Sequence, residues 1–279
     1  MKESKESEPL SWQLDYRLHR AKLRLKRGSF SNFDEEEILR RYCAELLPEE
    51  GRARVAVDLG AGDGVKGSNT YALFRAGWRG LGVEADRRKA RKLAHSYEQF
   101  EGVSAARALV TPENVVGLLE GHGVPAGFDV LSLDIDSYDY LVLDRLLAHF
   151  RPRLVVTEIN EKIPPPIKFH VKFDPDFQLQ HHFFGYSIQS LADLCARHDY
   201  TLLELEYNNA FLAPRELAGG QTQTVEEIYR RGYRDRPDRR EKFASNHDVD
   251  ALHAMSPAEA VRFLDEFYAR HRGKYELGL

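Results

Sequence analysis

Two groups of residues in this chain could do chemistry. The first is Asp58-Leu59-Gly60-Ala61-Gly62-Asp63-Gly64, which closes the apolar run Val55, Val57, Leu59 and opens a helix-length segment ending near Ala76. A strand, a glycine turn and a helix start let a ligand lie directly against main chain, because glycine carries no Cβ. The dinucleotide fingerprint G-x-G-x-x-G is not met, since Val65 stands where its third glycine belongs. Asp58 and Asp63 are poor neighbours for a pyrophosphate and good partners for an ammonium group. A second short strand, Gly80 to Val83, ends at Glu84, twenty residues after Gly64. A carboxylate there can accept both hydroxyls of a ribose.

The second group lies at the ends of two later apolar runs. L-S-L-D-I-D-S-Y-D-Y supplies Asp134, Asp136 and Asp139, and V-V-T-E-I-N supplies Glu158 and Asn160. Adjacent strands run about 4.8 Å apart, so these groups can converge. Carboxylates crowded into one pocket repel unless a proton or a cation joins them, and hard oxygen ligands suit Mg²⁺, Mn²⁺ or Ca²⁺. The Pro-, Phe- and His-rich stretch that follows, to Ser187, is long for a connection, which favours a functional loop. Its His170, His181 and His182 could bind substrate or metal, with His170 and His182 as catalytic candidates, and Lys168 and Lys172 could meet an anionic substrate.

The D-x-G-x-G-x-G loop with an acid ending the next strand closely resembles the S-adenosylmethionine (SAM) site of class I methyltransferases, over roughly Val55 to Phe211. That resemblance implies a Rossmann-like α/β fold with a mostly parallel seven-stranded sheet. It implies SAM contacts from Asp58, Gly60, Gly62, Asp63, Gly64, Ser68, Asn69, Glu84 and Asp134. D-I-D-S-Y-D-Y is also similar to the D-x-D-x-Y-[DE] run of metal-dependent sugar O-methyltransferases. Carried over, Asp134 would bind a divalent ion and Asp136 would take the proton of a hydroxyl. Glu158 and Asn160 stand where those enzymes have a pair of Asp, supplying one charge instead of two. The activity implied is O-methylation of a small molecule, with possible divalent-metal assistance.

The elements that must position these residues follow from periodicity. Near-continuous apolar strands at Arg54 to Leu59, Leu81 to Glu84, Val103 to Val110, Phe128 to Ile135 and Arg153 to Ile159 alternate with helical segments, which indicates a parallel sheet covered on both faces. A strand at Thr201 to Glu206 and a final one at Asn208 to Leu212 complete the sheet. The chain divides into an N-terminal helical cap (1–52), a core (53–213, with 160–187 as a substrate loop) and a charged helical extension (214–279). The cap holds an amphipathic helix from Leu10 to Arg27, with Trp12 able to staple it to the body, and a second helix N-capped by Asn32 or Asp34.

Composition narrows the classes. With 279 residues and 42% apolar content, the chain can build one large domain with appendages. A net charge of −4 gives no basic field for nucleic acid. Cys43 and Cys195 fit buried positions in a reducing compartment. No apolar run is long enough to span a bilayer and the charged N-terminus is unlike a signal peptide, so a soluble, cytoplasmic protein is expected. The expected partner is a small-molecule acceptor, with a homo-oligomer left open. Three competing activities remain: a SAM-binding enzyme that cyclises or cleaves its cofactor, a nucleic-acid methyltransferase, and a noncatalytic SAM-binding protein. The D/N-P-P-Y/F/W tetrad of exocyclic-amine enzymes is missing after the fourth strand, and no Cys nucleophile follows it.

Overall fold

A computed structural model describes residues 28–47, 53–219 and 223–279. The helix expected from Leu10 to Arg27, with Trp12, falls outside the described residues.

Seven strands form one sheet: β1 (Val55–Leu59), β2 (Arg79–Glu84), β3 (Val103–Arg107), β4 (Val130–Leu133), β5 (Leu154–Glu158), β7 (Tyr200–Glu206) and β8 (Asn209–Pro214). Their order across the sheet is β3-β2-β1-β4-β5-β8-β7. The first five pair in parallel, and β8 runs antiparallel to both of its neighbours. The fold is Rossmann-like. Strand alternation explains the continuous apolar runs. Val57, Leu59, Leu131, Leu133 and Val155 enter one core, while Ala56, Val130, Leu154 and Val156 enter the other. The helices α1 (Glu35–Leu46), α2 (Tyr71–Arg75), α3 (Arg87–Tyr97), α4 (Val115–Gly121), α5 (Asp139–Leu147) and α6 (Ile188–His198) flank this sheet.

Most element boundaries fall within a residue or two of those expected. The third strand is the exception. It stops at Arg107 because Ala108, Leu109 and Val110 peel away to line a pocket. On α1, Asp34 is the first boundary residue but makes no side-chain cap. Ser31 Oγ instead accepts from the Glu36 N–H at 3.2 Å, and Glu36 takes the Phe30 N–H at 2.9 Å.

The larger difference concerns residues 160–187 and the C-terminal extension. The first holds a strand, β6 (Lys168–Val171), and the second ends in another, β9 (Tyr275–Gly278). These pair antiparallel as a separate two-stranded sheet. Between them lie short helices α7 (Arg215–Ala218), α8 (Val225–Tyr229) and α9 (Arg239–Lys242), then 3₁₀ turns and α10 (Pro257–Phe267). Ile163, Ile167, Phe169 and Phe183 share a third core with Val249, Leu252, Leu264, Tyr268 and Tyr275. The stretch expected as a loop is therefore half of a packed unit whose other half arrives at the chain's end. Helix α10 begins with the Ser256–Glu259 capping box and Pro257 in its first turn. Ser256→Ala is expected to cost about 1 kcal/mol, read as a lowered urea midpoint with an unchanged slope.

Both cysteines are buried, and burial pushes each thiol up to about 12. They are core residues without nucleophilic character.

Candidate functional site

Three of the glycines adopt left-handed backbone, at φ +89° for Gly60, +58° for Gly62 and +79° for Gly64. Their surroundings differ. A Cβ on Gly60 would meet the Asp134 carbonyl oxygen at 1.7 Å, because β1 and β4 leave the sheet side by side here. A Cβ on Gly64 would meet Leu93 and Tyr97 of α3 below 3.0 Å. A Cβ on Gly62 would meet nothing within 4 Å. Gly60 and Gly64 are thus fixed by packing, whereas Gly62 faces open space and forms a cradle that a side chain would fill.

Glu84 closes this turn from the end of β2. Its Oε2 accepts from the Gly62 N–H at 2.9 Å and its Oε1 from the Asp86 N–H at 2.7 Å. A carboxylate held at both oxygens by main chain has one orientation, and each oxygen keeps a free lone pair for a hydroxyl. Asp86 caps α3 in turn, accepting from the N–H groups of Arg88 and Lys89.

A pocket opens beside the turn, lined by Gly60 and Glu84, by Ala108 to Val110, and by Asp134 to Tyr138. One wall is apolar and the other carries the strand-end acids. The residues fit SAM: an open glycine cradle, an oriented carboxylate one strand away, and an apolar slot beyond it.

Other expected cofactor residues serve the turn itself. Asp63 Oδ1 accepts from the Val65 and Lys66 N–H groups, so it folds back on its own loop. Ser68 Oγ accepts from the Thr70 and Tyr71 N–H groups at the start of α2. Asn69 Nδ2 donates to Ser132 Oγ at 3.4 Å. Asp58 is buried and accepts from Thr70 Oγ1 at 2.6 Å. Burial raises its pKa to about 6, opposed by the hydroxyls of Thr70, Ser132 and Ser68.

The acids converge as their strand ends require. One carboxylate oxygen from each of Asp134, Asp136 and Glu158 lies within 4.8 Å of the other two. Asp136 has φ +58°, a left-handed conformation that Asp tolerates better than most residues. Asp139 does not join them. It accepts from the Ile135 and Ser137 N–H groups at 2.8 and 2.9 Å and so shapes the turn that presents Asp134 and Asp136. Glu158 is held by Asn208 Nδ2 at 2.6 Å, from the tight turn between β7 and β8.

Electrostatics match this crowding. Asp134 opens on the pocket, but protein closes round it elsewhere. Burial, then the charges of Asp136 and Asp139, raise its pKa to about 8, against a hydrogen bond with Glu158. Glu158 is raised well above its usual range by burial and by Asp134 and Asp136. Asp136 is also raised by burial, against the nearby Lys89 ammonium. Asp134 and Glu158 therefore share a proton near neutrality unless a cation takes its place. Three hard oxygen donors with one open side fit a divalent ion such as Mg²⁺.

A raised carboxyl pKa has a definite consequence for stability. The contribution from Asp134 is fully present below about pH 4 and is lost as pH climbs through about 8. Asp134→Asn is expected to melt higher than wild type at pH 8.5 and to lose that advantage near pH 4. Millimolar Mg²⁺ should flatten the wild-type profile. Parallel melting profiles for the two proteins across that range would contradict the shared-proton reading.

Asn160, two residues after Glu158, holds the neighbouring segment. Fully buried, it donates Nδ2 to the carbonyls of His182 and Phe184, both at 2.9 Å, and so ties down the β6 segment. Its Nδ2 is spent on those two carbonyls, while its Oδ1 is buried without a hydrogen-bond partner among the described residues. His170 stacks on Tyr140, with ring centroids 4.4 Å apart, and its charged neighbours are Glu276, Lys172, Arg197 and Asp144. His182 pairs with Asp248 at 2.9 Å. Neither histidine belongs to the Asp136 cluster, because the β6 segment turns away to pack on the C-terminal unit. The sequence reading missed Lys89 and Tyr138 in the pocket wall and Asn208 behind Glu158. Lys89 was findable, since it lies about one helical turn past the cap Asp86, which comes two residues after Glu84. Asn208 acts through the reversal of β8, which periodicity does not reveal.

No protein-family model and no curated protein matches the sequence. Among solved structures, the chain is similar to an O-methyltransferase from Bacillus cereus in complex with S-adenosylhomocysteine (SAH). The identity is 16%, over 75% of this chain and 92% of that one, with a TM-score of 0.44. A protein from Klebsiella pneumoniae described as an O-methyltransferase is similar at 18% identity, over 73% of this chain and 88% of that one, with a TM-score of 0.44. A TehB-like SAM-dependent methyltransferase from Corynebacterium glutamicum is similar at 11% identity, over 74% of this chain and all (100%) of that one, with a TM-score of 0.40. Among the described residues, no helix is long and apolar enough to cross a membrane.

Proposed function

We propose that this chain is a SAM-dependent methyltransferase that methylates a hydroxyl of a small molecule, assisted by a divalent ion. The observation that carries this reading is one pocket bounded both by Gly60 and Glu84 and by the Asp134–Asp136 rim. When bound, SAM supplies a methyl activated on a sulfonium, which departs from a neutral thioether. The chain's own work is to orient an acceptor oxygen and remove its proton. Glu84 and the Gly62 main chain hold the nucleoside end, and Ala108 to Val110 exclude water from its far side. Asp134 and Glu158 would hold the ion, which would lower the pKa of a coordinated hydroxyl. Asp136, at the open side of the cluster, accepts the proton as the new carbon–oxygen bond forms.

Calorimetry with SAM and SAH tests the cofactor assignment. Binding of both is expected, and Glu84→Gln is expected to weaken it about 10- to 100-fold, because a charged acceptor becomes a neutral amide. No heat from either nucleoside would overturn the reading. Incubation with SAM alone should leave it intact, and a cyclised or cleaved product would reassign the protein to SAM breakdown. Release of SAH with a panel of hydroxylated small molecules, and none with RNA or DNA at any salt, is the outcome expected for the acceptor class.

A further inference from the structure

A second cluster of ligand-type side chains lies away from the acid rim. The turn Gln180 to Phe183 closes with a Phe183 N–H to Gln180 carbonyl hydrogen bond of 2.9 Å, and His181 and His182 are its two corners. Consecutive side chains on extended backbone point to opposite sides. Here His182 takes φ +64°, which brings the two imidazoles together with ring centroids 3.6 Å apart. Asp248 arrives from a 3₁₀ turn of the C-terminal unit, with its Oδ1 2.9 Å from His182 Nε2. One donor atom from each of the three side chains lies within 4.8 Å of the other two. His182 is buried, whereas His181 and Asp248 face solvent, so the trio is built on one side and open on the other.

We propose that His181, His182 and Asp248 bind a borderline divalent cation, Zn²⁺ by preference, that fastens the turn before α6 to the C-terminal unit. Two imidazoles and a carboxylate, with one position left to water, are a donor set for zinc and not for magnesium. Left-handed backbone at a non-glycine residue is costly and persists only when the surroundings impose it. The imposition is visible, because the His182 carbonyl accepts from Asn160 Nδ2 at 2.9 Å and from Tyr268 Oη at 2.8 Å. The titratable and charged groups facing His182 are His181, Asp248 and Lys162, and the last is paired with Glu161 at 3.2 Å. The site also touches function at one remove. Asn160, which holds the His182 carbonyl, follows two residues after Glu158.

The test is Zn²⁺ and Co²⁺ titration of the full, chelator-stripped chain in excess Mg²⁺, which occupies the oxygen-only cluster. One equivalent of Zn²⁺ is expected, with a visible Co²⁺ absorption band and a rise in Tm. His181→Ala removes an exposed ligand without disturbing the buried turn. It should weaken Zn²⁺ at least 10-fold and abolish the Tm rise, and Asp248→Asn should do the same in part. Asp134→Asn should leave the Zn²⁺ equivalent intact. Absence of stoichiometric Zn²⁺, or Zn²⁺ lost with Asp134→Asn and kept with His181→Ala, would overturn the assignment.

Discussion

Gly60→Ala is expected to lower Tm by roughly 10 °C and to abolish SAH binding, whereas Gly62→Ala should abolish binding with little loss of Tm. The two substitutions add the same methyl group to the same left-handed turn. At Gly60 that methyl would overlap the Asp134 carbonyl oxygen at 1.7 Å. Neither side can yield. The Gly60 N–H donates to the Val83 carbonyl at 3.0 Å, and the Asp134 N–H donates to the Leu59 carbonyl at 3.0 Å. Both belong to the middle of the sheet, where β1 lies between β2 and β4. Overpacking of this kind, added to unfavourable φ, costs roughly 3–5 kcal/mol, and at about 2–4 °C per kcal/mol for a chain of this size the drop in Tm follows. At Gly62 only the conformational cost remains, about 1–2 kcal/mol, because the space is open. The new methyl would project into that space. Thermal melts paired with SAH calorimetry separate the cases. A folded Gly62→Ala protein that binds SAH as wild type does would show that the turn is not the cofactor's seat.

The same pair shows how far the sequence could be read. The spacing of Gly60, Gly62 and Gly64 after β1, with Glu84 after β2, located the turn, because both depend on local chain geometry. Which glycine faces packed backbone and which faces a cavity depends on β4, which pairs with β1 from seventy residues away, as Ala56 opposite Val130 and Leu59 opposite Leu133 show. Periodicity carries no register. The inner parallel strands were legible because strands buried on both faces have to be apolar nearly throughout, whereas β3, at the sheet's edge, is only partly buried. The pairing of β6 with β9 was not, because each is only four residues long and they lie about a hundred residues apart. Pro164-Pro165-Pro166 and the aromatic run after it read as a loop. Of those aromatics, Phe169 and Phe183 are core residues with partners from α10 and β9, and Tyr186 is buried in the core of the main sheet. The same loop reading grouped His170 and His182 with the acids, whereas His170 stacks on Tyr140 and His182 pairs with Asp248. Asp136 differs, because its position is set locally, by the end of β4 and the turn that Asp139 shapes.

Asp136→Asn should reduce methyl transfer by about 10²- to 10⁴-fold, the range for loss of a positioned general base, while SAH affinity changes less than threefold. Asn is the informative replacement because it fits the same volume and tolerates the left-handed backbone of φ +58° as Asp does. A loss of rate can then be assigned to the missing proton acceptor and not to strain. The raised pKa of Asp136 suits the task, because a stronger base takes a hydroxyl proton more readily, provided that it is ionised. The rate should therefore rise with pH as the carboxyl ionises, and the Asn variant's residual rate should lose that limb of the profile. Lys89 tunes the same group from α3, because its ammonium favours the ionised form. Lys89→Met should shift the limb to higher pH and leave the plateau rate nearly unchanged. SAH release with the first acceptor that turns over provides the readout. Full turnover by Asp136→Asn would move the base elsewhere. In that case the Asp134–Glu158 pair, whose shared proton already requires one carboxylate to be charged near neutrality, is the nearest group chemically able to replace it.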